Sequence, residues 1–289
     1  MNGTERISQQ IKLKDGRMLG YAEYGAAGGK PIFCFHGFPG SRLDWLMFDP
    51  DNVAAEIGAR VIVADRPGMG LSDFQSGRKF LDWADDVAEM ADALHLDRFA
   101  VLAASGGGPY GHACAYKIAD RLTATAIVCG MGPSEAPGIK EGGSWSYPGK
   151  PSLIRRLLLS LTVRGLRDAP ERFETQMQGM VSEPDQRLMA ERPELVTLVI
   201  DSWGEAFRSG IGGVNHEAGL YTRPWGFQLE QISVKVHLWH GEQDNNVPVS
   251  VGRYVAQAIP NCSAIFLEGE GHFSILSSHV PEILNVLLA

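Results

Sequence analysis

No stretch of this 289-residue chain approaches the roughly 18–20 consecutive apolar residues of a membrane-spanning helix. Basic blocks are missing as well. Lys and Arg number 26 against 34 Asp and Glu, a net charge of −8, which excludes nucleic acid and anionic membranes as expected partners. The nearest approach to a basic cluster, Arg155-Arg156 beside a leucine run, reads as the solvated face of a helix. Cysteine is scarce: Cys34, Cys114, Cys129 and Cys262 are scattered without metal-ligand spacing, so no metal site and no disulfide framework is expected. The opening MNGTERISQQIKLKDGRML is polar and mixed in charge, which predicts neither a signal nor a transit peptide. With reduced thiols, this places the protein in the cytoplasm. Ser105-Gly106-Gly107-Gly108 lacks the G-x-G-x-x-G spacing and a ribose-binding acid downstream, so no dinucleotide or other cofactor is implied. No internal repeat is visible.

The stretch FAVLAASGGGPY, Phe99 to Tyr110, organises what is present. Phe99 to Ala104 is uncharged and apolar throughout, as a strand buried on both faces would be. Four small or turn-forming residues follow Ser105, and helix-forming composition runs from Tyr110 to Ala119. A strand that turns abruptly into a helix needs small residues at the corner. The residue at its apex stands exposed at the positive end of the new helix.

Around it, Ile7–Leu13 and Leu19–Tyr24 alternate about an Asp15-Gly16 turn, a hairpin signal. Further strands are expected at Pro31–Phe35, Arg60–Ala64, Leu122–Cys129, Val234–Trp239 and Ser263–Leu267, with helices at Phe80–Leu96, Pro248–Ile259 and, after the loop Glu268–Phe273, to Ala289. Alternating helices and uniformly apolar strands predict an α/β fold, with a mostly parallel central sheet covered by helices on both faces. That rhythm breaks between about Gly132 and Phe227. There, helical segments (Ser152–Leu166, Pro170–Val181, Pro193–Arg208) occur without strands. The expected organisation is a core of residues 1–132 and 227–289 with a helical cap inserted at 133–226. Trp145, Tyr147, Met177, Met180, Trp203, Phe207 and Trp225 either wall a pocket under that cap or pack its helices together.

Every candidate reactive group follows the C-terminal end of an expected strand, and those ends share one edge of a parallel sheet. Ser105, Asp244 (in HGEQDNNVP) and His272 (in GEGHF) can therefore converge. The order Ser, Asp, His, the small-x-Ser-x-small corner Ala103-Ala104-Ser105-Gly106-Gly107, and His36-Gly37-Phe38-Pro39 together resemble the α/β-hydrolase fold superfamily, in its capped, esterase-like form. The resemblance implies Ser105 as nucleophile, His272 as base, Asp244 as the acid that orients it, and the N–H groups of Phe38 and Gly106 as an oxyanion hole. His36, Asp65 and Arg66 are implied as structural, and Glu135, after the Leu122–Cys129 strand, as an alternative acid. Relatives with epoxide hydrolase or dehalogenase activity carry an aspartate at the elbow, where this chain has Ser105.

The expected activity is hydrolysis of a small, largely apolar carboxylic ester through an acyl-enzyme, with a small molecule as the partner. The same triad serves amides, lactones and carbon–carbon bonds, and some members of the fold are ligand sensors with slow turnover. A peptidase recognising an N-terminal amine would draw on Glu205 and Glu217 from the insertion.

Overall fold

The computed structural model describes residues 6–49 and 52–289. The start of the polar opening stretch, through residue 5, lies outside the described residues. Eight strands form one sheet: β1 (Gln9–Lys12), β2 (Met18–Gly25), β3 (Lys30–Phe35), β4 (Ala59–Ala64), β5 (Phe99–Ala104), β6 (Leu122–Val128), β7 (Val236–Gly241) and β8 (Cys262–Leu267). Their spatial order is β1-β2-β4-β3-β5-β6-β7-β8. The β1–β2 and β2–β4 pairings are antiparallel, and the others are parallel. The expected hairpin thus sits at one edge, and Gly16 takes φ +93° in its turn.

Helices cover both faces. Two single turns, α1 (Trp45–Phe48) and α2 (Val53–Glu56), follow β3; α3 (Phe80–Ala93) precedes β5; and α4 (Gly108–Lys117) follows it. α10 (Val249–Ala258) joins β7 to β8, and α11 (Ser274–Leu288) ends the chain. Side chains alternate across a strand, so the uninterrupted apolar runs feed two cores at once. Phe99, Val101 and Ala103 of β5 pack with α3 and α4. Ala100, Leu102 and Ala104 pack with α1 and α11. Each large aliphatic or aromatic side chain buried this way contributes about 1.5–3 kcal/mol.

At two helix boundaries the difference from the pattern has a clear local cause. α3 stops at Ala93 because His95 turns left-handed (φ +58°) and the N–H of Leu96 closes onto the carbonyl of Ala91. α4 begins at Gly108, since the tight turn Ser105–Gly107 runs straight into it and Pro109 occupies its first turn.

Between β6 and β7 the described residues contain helices and no strand: α5 (Ser152–Asp168), α6 (Pro170–Gln178), α7 (Glu183–Glu191), α8 (Glu194–Ala206) and α9 (Gly212–Leu220). α7 and α9 are additions to the helices read from the sequence. α9 is glycine-rich and buried on most of its surface, so it carries no amphipathic stripe to read. Among the described residues, no helix is long and apolar enough to cross a membrane.

Candidate active site

Ser105 follows β5, Asp244 follows β7 and His272 follows β8, so three parallel strands, with β6 between the first two, deliver them to one edge of the sheet. His272 Nε2 lies 2.9 Å from Ser105 Oγ. Its Nδ1 lies 2.8 Å from Asp244 Oδ2. An ionised carboxylate can only accept, so Nδ1 carries the proton and Nε2 is left to accept from the serine hydroxyl. Asp244 is fixed in turn, because its Oδ1 accepts the N–H groups of Asn246 (2.8 Å) and Val247 (2.9 Å). Glu135 makes no contact with His272 among the described residues. It lines a cleft of about 640 Å³ beside Trp225 and Tyr254.

Ser105 sits at φ +52°, a left-handed conformation that a non-glycine residue holds only when its surroundings enforce it. The enforcement is the sharp corner. A β-carbon on Gly107 would come within 2.4 Å of the Phe35 carbonyl oxygen, and one on Gly106 within 2.4 Å of Phe38 Cβ. Only glycine permits that approach. It brings the backbone of Gly106 against that of Phe38, and neither N–H has a protein acceptor among the described residues. Two free donors beside a serine hydroxyl suit a developing oxyanion, and each such donor is worth roughly 3–4 kcal/mol.

Burial and charge act together on the acid–base pair. Burial, the largest single influence on His272, pulls its pKa down, but the Asp244 carboxylate and its hydrogen bond, with Asp185 assisting, carry it above the ordinary 6.5. For Asp244, burial pushes the carboxyl up and the neighbouring imidazole outweighs it, leaving the group below its usual range. A base that becomes more willing to hold a proton, beside an acid that stays ionised, can accept the serine's proton during attack.

Polar groups behind this line tie it to the helical insertion, and the sequence did not indicate how they pair. Glu217 of α9 is fully buried and receives Arg66 (2.7 Å), Arg78 (2.6 Å), and the hydroxyls of Tyr110 and Tyr221 (2.9 Å each). Arg66 also donates to the carbonyls of His36 (2.6 Å) and Gly37 (2.7 Å), and the Tyr221 hydroxyl shares its single proton between Glu217 and the Gly106 carbonyl (2.8 Å). Burial alone would raise the Glu217 carboxyl, but the two guanidinium groups hold it far below the carboxylate range. Glu217 is thus consumed by arginines, and Glu205 is paired with Arg42 at 2.6 Å. This corrects the expectation that these acids could meet a substrate amine.

His36 is buried, its Nε2 accepting the N–H of Arg66 at 3.2 Å, in line with a structural role. Asp65 braces the strand end through the Arg42 side chain (2.9 Å) and the Leu71 N–H (2.9 Å). Asp44 accepts the Gly37 N–H at 2.8 Å and is itself bonded by Ser202 of α8. Asp185 of α7 meets the histidine loop. Its only signal in the sequence is Ser182-Glu183-Pro184-Asp185, which marks a helix start but not a contact 87 residues away.

The aromatic and methionine residues of the insertion divide between packing its own helices, packing on the core and facing solvent. Trp203 pairs with Phe173 at 5.6 Å, Trp225 lies 5.7 Å from Phe80, and Met180 stays 63% exposed. Phe207 and Tyr147 differ, joining Met69, Leu159 and Val214 in a cluster that also holds Phe38.

One group of possible metal ligands lies next to the line: atoms of Cys129, His240 and Asp244 fall within 4.8 Å of one another. Two of the three are engaged in the acid loop, since Asp244 accepts three hydrogen bonds and His240 Nε2 contacts the Val247 carbonyl at 2.7 Å. The group works as hydrogen-bonding support for the acid loop.

In comparison with known proteins, the family model described as the alpha/beta hydrolase fold matches residues 30–278. The chain belongs to the α/β-hydrolase fold family. It is 27% identical over 287 residues to a non-heme chloroperoxidase of Streptomyces lividans, covering 95% of this chain and 96% of that protein. It is 25% identical over 279 residues to a bifunctional esterase/perhydrolase of Acinetobacter calcoaceticus, covering 91% and 92%. Among solved structures, an α/β-hydrolase fold protein from Nakamurella multipartita aligns with TM-score 0.72 at 22% identity, covering 97% of this chain and 98% of that one. A thermophilic esterase from Thermogutta terrifontis aligns at 0.69 and 22%, covering 98% and 100%. At such identities the structural likeness speaks for the fold of this α/β hydrolase.

Proposed function

We propose that this α/β hydrolase is a serine esterase that cleaves small, largely apolar carboxylic esters through an acyl-enzyme. Ser105 attacks the carbonyl carbon as His272 Nε2 takes its proton. Asp244 holds the imidazole in the required tautomer and stabilises the imidazolium. The N–H groups of Phe38 and Gly106 receive the oxyanion of the tetrahedral intermediate. His272 then protonates the leaving alcohol, and a water activated by the same imidazole releases the acid and frees Ser105. The observation that carries this reading is the unbroken hydrogen-bonded line from Ser105 through His272 to Asp244. Residues 133–226 serve as the cap in this reading. The apolar cluster of Phe207, Leu159 and Val214 around Phe38 supports a hydrocarbon acyl or alcohol group beside the oxyanion donors.

The relative named esterase/perhydrolase favours one further reading on the same triad, in which hydrogen peroxide replaces water as acyl acceptor and the product is a peracid. Turnover of p-nitrophenyl esters of increasing acyl length, with and without peroxide, tests both. Ester cleavage is expected in the wild type and should fall at least ~10⁴-fold in Ser105→Ala. Undiminished turnover by the purified variant would remove Ser105 from the reaction.

A further inference from the structure

We propose that Asp185, in the first turn of insertion helix α7, is a positioning residue for His272, so that the helical insertion sets the competence of the acid–base pair as well as covering it. The proposal rests on the reading of His272 as the base.

The loop that carries His272 ends where α11 begins, and the first N–H groups of a helix have no partner within it. Such donors are ordinarily met by a side chain at the helix's own N-cap. Here the N-cap residue is Phe273, which has no side-chain acceptor. Asp185 supplies the acceptor instead, from a different layer of the molecule. Its Oδ2 accepts the N–H of His272 itself at 3.0 Å, and its Oδ1 accepts those of Phe273 and Ser274, both at 2.9 Å. The carboxylate is fully buried, and Ser182 Oγ donates to its Oδ2 at 2.8 Å, holding the orientation. The approach is close enough to constrain the loop's sequence. A β-carbon at Gly271 would lie 2.6 Å from both Asp185 oxygens and 2.2 Å from Ser182 Oγ.

One anion therefore fixes three consecutive backbone positions, one of them that of the residue whose imidazole must stay within hydrogen-bonding reach of Ser105. Hydrogen bonds to a charged acceptor are the stronger kind, and displacing a reacting group by about 1 Å can cost a hundredfold in rate. Among the described residues α7 makes no other hydrogen bond to the Ser105–His272–Asp244 line, so a shift of this helix would reach the reaction through Asp185. The carboxylate also faces His272 electrostatically and adds to the upward displacement of its pKa. The other groups facing the imidazole are Asp244 from the β7 side and Ser105 from the corner after β5, with His240 and Cys129 standing beside Asp244.

Asp185→Asn tests this, because the amide keeps the volume, loses the charge and offers one acceptor oxygen where two are used. Steady-state turnover of a short p-nitrophenyl ester, counted per Ser105 titrated with a fluorophosphonate, should show kcat lowered about 10- to 100-fold with KM changed less than about threefold. The acid limb of the pH profile should move to lower pH. Ser182→Ala, which removes only the hydroxyl that orients the carboxylate, covers the case in which Asp185→Asn does not fold; its kcat should fall about threefold at unchanged KM. A lower melting temperature with wild-type kcat per labelled site and an unmoved acid limb would make Asp185 a fold residue only and overturn the proposal. Wild-type kcat in Ser182→Ala would count against it in the same way. The wild type separates the two levels of the argument: if it fails to label at Ser105, the serine-hydrolase reading falls; if it labels and turns over while the variants match it, only the role of Asp185 falls.

Discussion

Asp244 and Glu217 are both fully buried carboxylates at the same edge of the sheet, and they are surrounded in opposite ways. Asp244 faces an imidazole, a partner whose charge changes within the physiological pH range. Glu217 faces Arg66 and Arg78, which never release their protons. The first arrangement can carry a proton away from Ser105 and return it. The second cannot, and it holds the loops instead: Arg66 grips the carbonyls of His36 and Gly37, and Tyr221 grips that of Gly106. Burial and a perturbed pKa are therefore common to both sites, and the titratability of the partner is what separates a reacting acid from a scaffolding one.

The largest break of this contrast is at Asp244. Asp244→Asn should leave a folded protein with ester turnover reduced ~10⁴-fold, since the imidazole loses the acceptor that sets its tautomer. Glu135→Gln, on the other hand, should stay within a factor of two of wild type. The reverse pattern would move the acid to Glu135.

Glu217→Gln should fail differently. Removing one member of a buried ion cluster strands the others and costs about 3–5 kcal/mol, which for a chain of this size is a fall in Tm on the order of 10 °C. Calorimetry would read it, and an unchanged Tm would mean the cluster is not holding the loops.

The smallest effect lies in the pH profile. His272 must be neutral to accept the serine proton, and its pKa is held above 6.5. Turnover should therefore rise with pH through a value above 6.5, with activity lost on the acid side where the imidazole is protonated. A limb at or below 6.5 would show that Asp244 does not dominate the imidazole's surroundings.

The sequence carried some of this plainly. Ser105, Asp244 and His272 sit in short loops after apolar strands, and strand-end placement needs only local pattern and the parallel-sheet rule to bring them together. The glycines of the corner were legible for the same reason. The insertion was legible as helical, but α7 and α9 were not. A nine-residue helix starting at Ser182-Glu-Pro gives a weak periodic signal, and α9 is buried nearly all round. The side chains that tie insertion to site were beyond local pattern altogether. Asp185 meets a loop 87 to 89 residues away, Ser202 meets Asp44 across 158, and Glu217 meets Arg66 across 151. Each of these is a lone polar residue whose meaning lies in what the tertiary fold sets beside it, which is why Glu217 read as a free acid in the sequence.

The central claim is that Ser105 is an activated nucleophile, and covalent labelling tests it most directly. Wild type and Ser105→Ala would be exposed to a fluorophosphonate and weighed intact. The account predicts one adduct per wild-type chain and none in the variant. An unlabelled wild type, or an adduct that persists in Ser105→Ala, would contradict it.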